Sequence, residues 1–277
     1  CSEWRRESRG TGFISILNPV PPGSRPRSMP TYRDQAIVLK TSVVRDADRR
    51  YTFYTRAHGK VAVLAKGSRR SKSKMSPHLG GFGVVDIMVA KGKRIDRLAG
   101  ASLARSFGRV LDDLDTGAAA QGFLLVIDAL TKQELPDERV FDLAAACLET
   151  LDAGARGNAG AIFHAAVLQL LGILGMAPEL EDCVRCRKPL PQTGVGLSIV
   201  RGGFECGRCR APESVAASAD TVKVLRFLVR QPLPIAARLR FTPGVHREVL
   251  MLTDLFLAAH LDRRLPALGY VREWTRL

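Results

Sequence analysis

The stretch Tyr51-Thr52-Phe53-Tyr54-Thr55, then His58-Gly59, then Lys60-Val61-Ala62-Val63-Leu64-Ala65, reads as two strands joined by a turn. β-Branched and aromatic residues suit a pleated strand, and His58-Gly59 supplies the turn signal. Side chains in a strand alternate between two faces. Tyr51 and Phe53, with Val61 and Val63 opposite, form the more apolar face and belong to a core. Thr52, Tyr54 and Arg56 then share the outward face.

Working outward, residues 36–41 are a first strand, and the turn Asp46-Ala47-Asp48-Arg49 leads into the second. Residues 67–81 form a loop rich in Ser, Gly, Arg and Lys. Residues 84–89 are the fourth strand, and 95–103 hold the fifth. Five short strands in about eighty residues predict a small barrel of the OB type, whose closure removes exposed edges. From residue 110 the period becomes helical. Helices are expected over 117–131, 136–151, 159–176, 219–230 and 245–264, with Asn158 capping the third. That third helix is apolar almost all round. It is shorter than the ~20 residues a bilayer needs, and His164, Gln169 and glycines interrupt it, so it reads as a buried central helix. His164 reads as a satisfied core residue. The expected fold class is α+β and multidomain: an OB-type barrel over 29–109, then a helical domain over 110–277. Residues 1–28, rich in Arg, Ser, Pro and Gly, read as a disordered extension, with Met29 as the natural start.

Between the third and fourth helices stands C-V-R-C, nineteen residues, then C-G-R-C. Cys183, Cys186, Cys206 and Cys209 have the spacing with which two tight turns close a tetrahedron around Zn²⁺. Residues 181–211 are therefore expected to be a zinc-binding insertion. Four protein ligands leave no open position, so the ion would be structural and would staple the excursion onto the helical domain. Arg185, Arg187, Lys188, Arg208 and Arg210 interleave with the ligands and offset part of the charge of four thiolates on one Zn²⁺. Contact with DNA or a partner is their weaker second role. Cys1 and Cys147 are left without a partner spacing. Metal-bound thiolates fit a reducing, cytoplasmic compartment.

The formal net charge is +15. Residues 29–109 hold 18 Lys+Arg against 5 Asp+Glu, while residues 110–277 hold 19 against 20. A field so concentrated points to a polyanion, nucleic acid before membrane. In an OB barrel the face of strands two and three, with the first and last of its loops, forms the nucleic-acid groove. The candidate contacts are Arg50, Arg56 and Lys60 on the hairpin and Lys66, Arg69, Arg70, Lys72 and Lys74 on the long loop. Lys91, Lys93 and Arg94 join them before strand five. Tyr54, outward beside Arg56, would be a base-stacking platform. No phosphate loop, H-x-E deaminase pair, H-E-x-x-H or G-x-S-x-G is present, so no enzyme is expected.

Residues 32–40 (Y-R-D-Q-A-I-V-L-K), Asp48-Arg49, 55–60 (T-R-A-H-G-K) and 65–70 (A-K-G-S-R-R) resemble the N-terminal domain of the bacterial RecO recombination-mediator family. The likeness is close over residues 29–103 and looser to about 265, the four-cysteine insertion included. It implies a protein that binds single- and double-stranded DNA through its OB domain and anneals complementary strands. It also implies partnership with RecR, to load RecA onto DNA coated by the single-stranded DNA-binding protein, in the cytoplasm at the nucleoid. The alternative from another class is an RNA-binding or translation-associated protein, since OB barrels and four-cysteine ribbons occur there too.

Overall fold

The computed structural model describes residues 30–45, 48–68, 75–154 and 157–261. The extension 1–28 and the basic run Arg69, Arg70, Lys72 and Lys74 lie outside the described residues.

Strand β1 (Thr31–Arg45) is much longer than the run 36–41, because it pairs on both edges. One edge meets β2 (Asp48–Thr55) and the other meets β4 (Gly83–Ala90). β2 pairs with β3 (Gly59–Ala65), and β4 with β5 (Asp96–Ser106). A short parallel seam, Val63 with Asp96 and Leu64 with Arg97, closes the barrel in the order β1-β2-β3-β5-β4. Register shifts in β1 after Val38 and Val43 are bulges, which bend a strand that must curve round a barrel. The interior holds Tyr51, Phe53, Val61, Val63, Val85, Ile87, Val89 and Leu98, as the alternation in the hairpin requires. Each such side chain contributes about 1.5–3 kcal/mol on leaving water.

The helical part runs α1 (Leu114–Leu130), α2 (Glu138–Asp152), α3 (Ala159–Ile173), α4 (Ala219–Arg230), a single turn α5 (Leu233–Ala236) and α6 (Pro243–Leu261). Asp113, Asp137 and Ser218 cap α1, α2 and α4 by accepting backbone N–H bonds, which satisfies donors that a helix start leaves orphaned. Asn158 stands at the start of α3, but its side chain makes no capping bond. Its amide turns away and donates to the carbonyl of Ala237. Every other helix packs against α3, which explains its apolar circumference. No described helix is long and apolar enough to cross a membrane.

His164, on α3, is fully buried as expected but is not satisfied. Neither ring nitrogen has a hydrogen-bond partner among the described residues. The ring packs edge-on against Phe163, Phe241 and His246. Burial, with a minor contribution from His246, pushes its pKa down to about 3, so it stays neutral.

A three-stranded sheet, absent from the sequence reading, joins the insertion to the chain that follows it. β6 (Val195–Ser198) lies between β7 (Gly203–Glu205) and β8 (Val215–Ala217). The unit thus extends past Ala211. Its Leu180, Leu190, Val195, Leu197 and Phe204 belong to the same buried cluster as the helices.

Candidate nucleic-acid interface and metal centre

The outward face of the β2–β3 hairpin is divided. Its turn end is covered by the helices. Gly59, at φ +67, forms the turn, and a Cβ there would stand 2.5 Å from the carbonyl oxygen of Leu135. Only glycine allows both the backbone conformation and the approach. Beside it, Tyr54 is 1% exposed and belongs to the helical core, with Ile37, Leu39, Val84 and Phe107 from the barrel exterior. Its hydroxyl donates to the Asp137 carbonyl and accepts from the Asp137 N–H, both at 3.2 Å. Burial, with a smaller push from the Asp137 charge, raises its pKa. The expected base-stacking platform is therefore not open: the ring points away from the barrel core, as the alternation demands, but into the start of α2.

Arg56 and Lys60 share that fate. The Arg56 guanidinium lies 2.7 Å from the Asp142 carboxylate, 3.7 Å from that of Glu138, and 4.5 Å from the Phe141 ring centroid. The Lys60 ammonium donates to the Asp128 carbonyl and lies 3.6 Å from its carboxylate, with the side chain 13% exposed. The sequence pattern puts both in the groove; in the structure they clamp the barrel to α1 and α2. Lys40, Arg105 and Arg109 do the same through Asp128, Glu149 and Asp152. Lys91 is partly engaged, 3.3 Å from Asp96 and 3.6 Å from Glu134, over the face of Tyr32.

The other end of the hairpin is open. Arg50 is exposed and opposes Leu64, which opposes Arg97 across the parallel seam. Lys66 lies just beyond β3, and Lys93 and Arg94 lie in the loop that enters β5; all are exposed. That loop needs glycine at 92, where a Cβ would fall 2.0 Å from the Ile95 carbonyl oxygen. Asp96 fastens it by accepting from the Gly92 N–H at 2.9 Å. None of Arg50, Lys66, Lys93, Arg94 and Arg97 forms an ion pair among the described residues. Arg97 escaped the sequence reading: it stands one position past Asp96, and only the β3–β5 register reveals that it lies in line with Arg50.

The four cysteines meet as expected. Their sulfurs all lie within 4.8 Å of one another, and Cys186 Sγ is 3.9 Å from Cys206 Sγ. A Zn–S bond of about 2.3 Å sets tetrahedral S···S edges of roughly 3.8 Å, so the cluster could hold a metal ion. Two similar turns build it. The Arg187 N–H bonds the Cys183 carbonyl at 2.9 Å, and the Arg210 N–H bonds the Cys206 carbonyl at 2.8 Å. Burial pushes the Cys183 thiol up, but N–H groups of Cys186, Cys206 and Arg185 aimed at it outweigh this and bring it down to about 6. Below the cluster, buried Glu205 accepts from Ser214 Oγ at 2.7 Å and from the Ala211 N–H at 3.0 Å.

Residues 29–107 match the family described as Recombination protein O N terminal, and residues 111–269 match Recombination protein O C terminal. A DNA repair protein RecO from Rubrobacter xylanophilus is 36% identical over 225 residues, covering 80% of this chain and 90% of that protein. The DNA repair protein RecO of a Nocardioides species is 33% identical, covering 87% and 98%. That of Streptomyces griseus is 32% identical, covering 88% and 100%. The two matches, running nearly end to end through the barrel and the helical domain packed on its exterior, show that the chain belongs to the RecO family.

Proposed function

We propose that this chain acts in DNA repair as a recombination mediator that binds DNA along the open end of its barrel. The observation that carries the reading is the group of five exposed cations around the β3–β5 seam with no ion pair among the described residues: Arg50, Lys66, Lys93, Arg94 and Arg97. Cations on phosphates release counterions and grip single and double strands alike. Contacts to the backbone leave base edges free, which annealing of complementary strands requires. No bond is made or broken, so the reading needs no catalytic residue. Its setting is the bacterial cytoplasm at the nucleoid, with RecR as partner, the single-stranded DNA-binding protein on the DNA and RecA as the protein to be loaded.

Zinc is the ion we assign to Cys183, Cys186, Cys206 and Cys209, because four thiolates at tetrahedral spacing suit it and close the site. It would supply structure, not chemistry.

The test is the salt dependence of binding to a labelled oligodeoxythymidylate. Five phosphate contacts give a slope of log affinity against log salt of about −3.5. Replacing Arg50, Lys66 and Arg97 together by Ala should bring it to roughly −1.4. A flat response in the unaltered chain overturns the reading. Competition by an RNA oligonucleotide of equal length separates DNA from RNA as the preferred strand.

A further inference from the structure

The zinc unit carries a second concentration of charge that the barrel reading leaves unused. Its two turns read C-V-R-C-R-K and C-G-R-C-R. Arg185 and Arg208 occupy the same position in the two turns, and so do Arg187 and Arg210. Lys188 adds a fifth cation. All five side chains are exposed, and none forms an ion pair among the described residues. The nearby acids are otherwise engaged. Glu181 pairs with Arg226 and Arg230 at 3.5 and 2.7 Å. Glu205 is buried beside Arg201, although it also feels the charge of Arg185. Glu179 accepts from the N–H groups of Glu181 and Asp182, although it feels the charge of Arg187. Asp182 is the one acid of residues 181–211 with no cationic partner among the described residues.

Two observations separate this rim from an ordinary solvated face. Arg187 sits at φ +57, the left-handed region that glycine adopts freely and other residues avoid. Arginine held there is a backbone outlier, and outliers of this kind cluster at functional sites. Two of the cations are also fixed by the unit itself. The Arg185 guanidinium donates to the Cys209 carbonyl at 2.9 Å. The stem of Arg210 lies so close over Gly196 that a Cβ there would stand 2.7 Å from its Cδ. Pre-ordered cations lose less freedom on binding than free ones.

From this arrangement we infer that the rim of the zinc unit is a second strand-binding site, one that holds the phosphates of a single-stranded nucleic acid. The ligand class follows from what is present and what is missing. Guanidinium groups favour phosphate. The only aromatic residue in 181–211 is Phe204, which is 1% exposed, so no ring can stack on a base. A strand held only by its phosphates keeps its bases free to pair. The inference rests on the barrel being the first strand site: two sites on one chain bring two strands together.

The experiment counts short strands bound per full-length chain at low salt. Labelled dT oligonucleotides short enough to fill one site serve as the probe. The rim variant is Arg187→Gly, Lys188→Gln, Arg208→Gln; it keeps the four cysteines, and Arg187→Gly relieves the turn, so metal content and melting temperature should hold. The barrel variant replaces Arg50, Lys66 and Arg97. We expect two strands on the unaltered chain, one on each variant and none on the combination. Removing three phosphate contacts should weaken the rim site about a hundredfold at 0.1 M salt. Annealing of complementary strands should fall in the rim variant even at concentrations that saturate the barrel. A rim variant that still binds two strands and anneals at full rate overturns the inference while leaving the barrel reading intact. A barrel variant that still binds two overturns the barrel reading instead. Capture of poly-glutamate by the rim in preference to the oligonucleotide would also overturn it, by marking the rim as a site for acidic protein.

Discussion

The two ends of strand β2 carry similar residues and meet different fates. Arg50 at one end is exposed and forms no ion pair among the described residues. Tyr54 at the other shares its outward face but is 1% exposed, and Arg56 just beyond is paired to Asp142. Both ends face away from the barrel core. One meets solvent and the other meets α2. The difference teaches that basic residues on a barrel serve two purposes, and that net charge counts both. Lys40, Arg56, Lys60, Arg105 and Arg109 answer acids on the helices. The field left for a polyanion comes from the rest.

The largest effect that can break this comparison is at Tyr54. Tyr54→Ala removes a large ring from a core shared by barrel and helices, at a cost of about 3–5 kcal/mol. Tyr54→Phe keeps the ring and loses only the two bonds to Asp137, a cost near 1 kcal/mol. Chemical denaturation should show both. DNA affinity of the Phe variant should match the unaltered chain. If Tyr54→Phe binds DNA weakly, the hydroxyl reaches a strand and the covered end takes part in binding after all.

Why the sequence shows one end of β2 and hides the other is a matter of range. Alternation is local, and it places Tyr51 and Phe53 inward without further information. Whether an outward residue meets water depends on a partner far along the chain, and Tyr54 lies 83 residues from Asp137. No period in residues 51–65 reports that distance. The cysteines are the opposite case. Each turn fixes two ligands within four residues, so the spacing alone announced the cluster later found within 4.8 Å. The sheet beside it was invisible because strands of three or four residues are too short to show alternation. The barrel itself was legible because its strands are longer and bounded by turns.

Acid should separate the two ends by a different route. His164 lies in α3, within the core that holds the covered end. Its folded pKa, about 3, is below the unfolded value near 6.5. Between these the unfolded chain binds more protons, so stability rises with pH and is lost as pH falls below about 6.5. The loss from one such group is about 1.4 kcal/mol per pH unit. His164→Phe should flatten the dependence between pH 6.5 and 4, measured by denaturation at fixed salt. An unchanged slope would mean that another group governs acid unfolding.

The smallest energetic effect gives the sharpest contrast between the two ends. Arg50→Ala removes an exposed cation with no ion-pair partner among the described residues, so stability should stay within about 0.5 kcal/mol. Arg56→Ala removes a half-exposed ion pair and a guanidinium over Phe141, and should cost about 1 kcal/mol at most. The order should reverse for DNA. On the proposed reading Arg50 contributes to the charge that a strand meets, and its loss should reduce the salt slope by about 0.7. Arg56 is already neutralised by Asp142 and Glu138, so its loss should leave the slope unchanged. A variant of Arg56 that lowers the slope as much as Arg50 does would show that the pair opens on binding and that the covered end joins the groove.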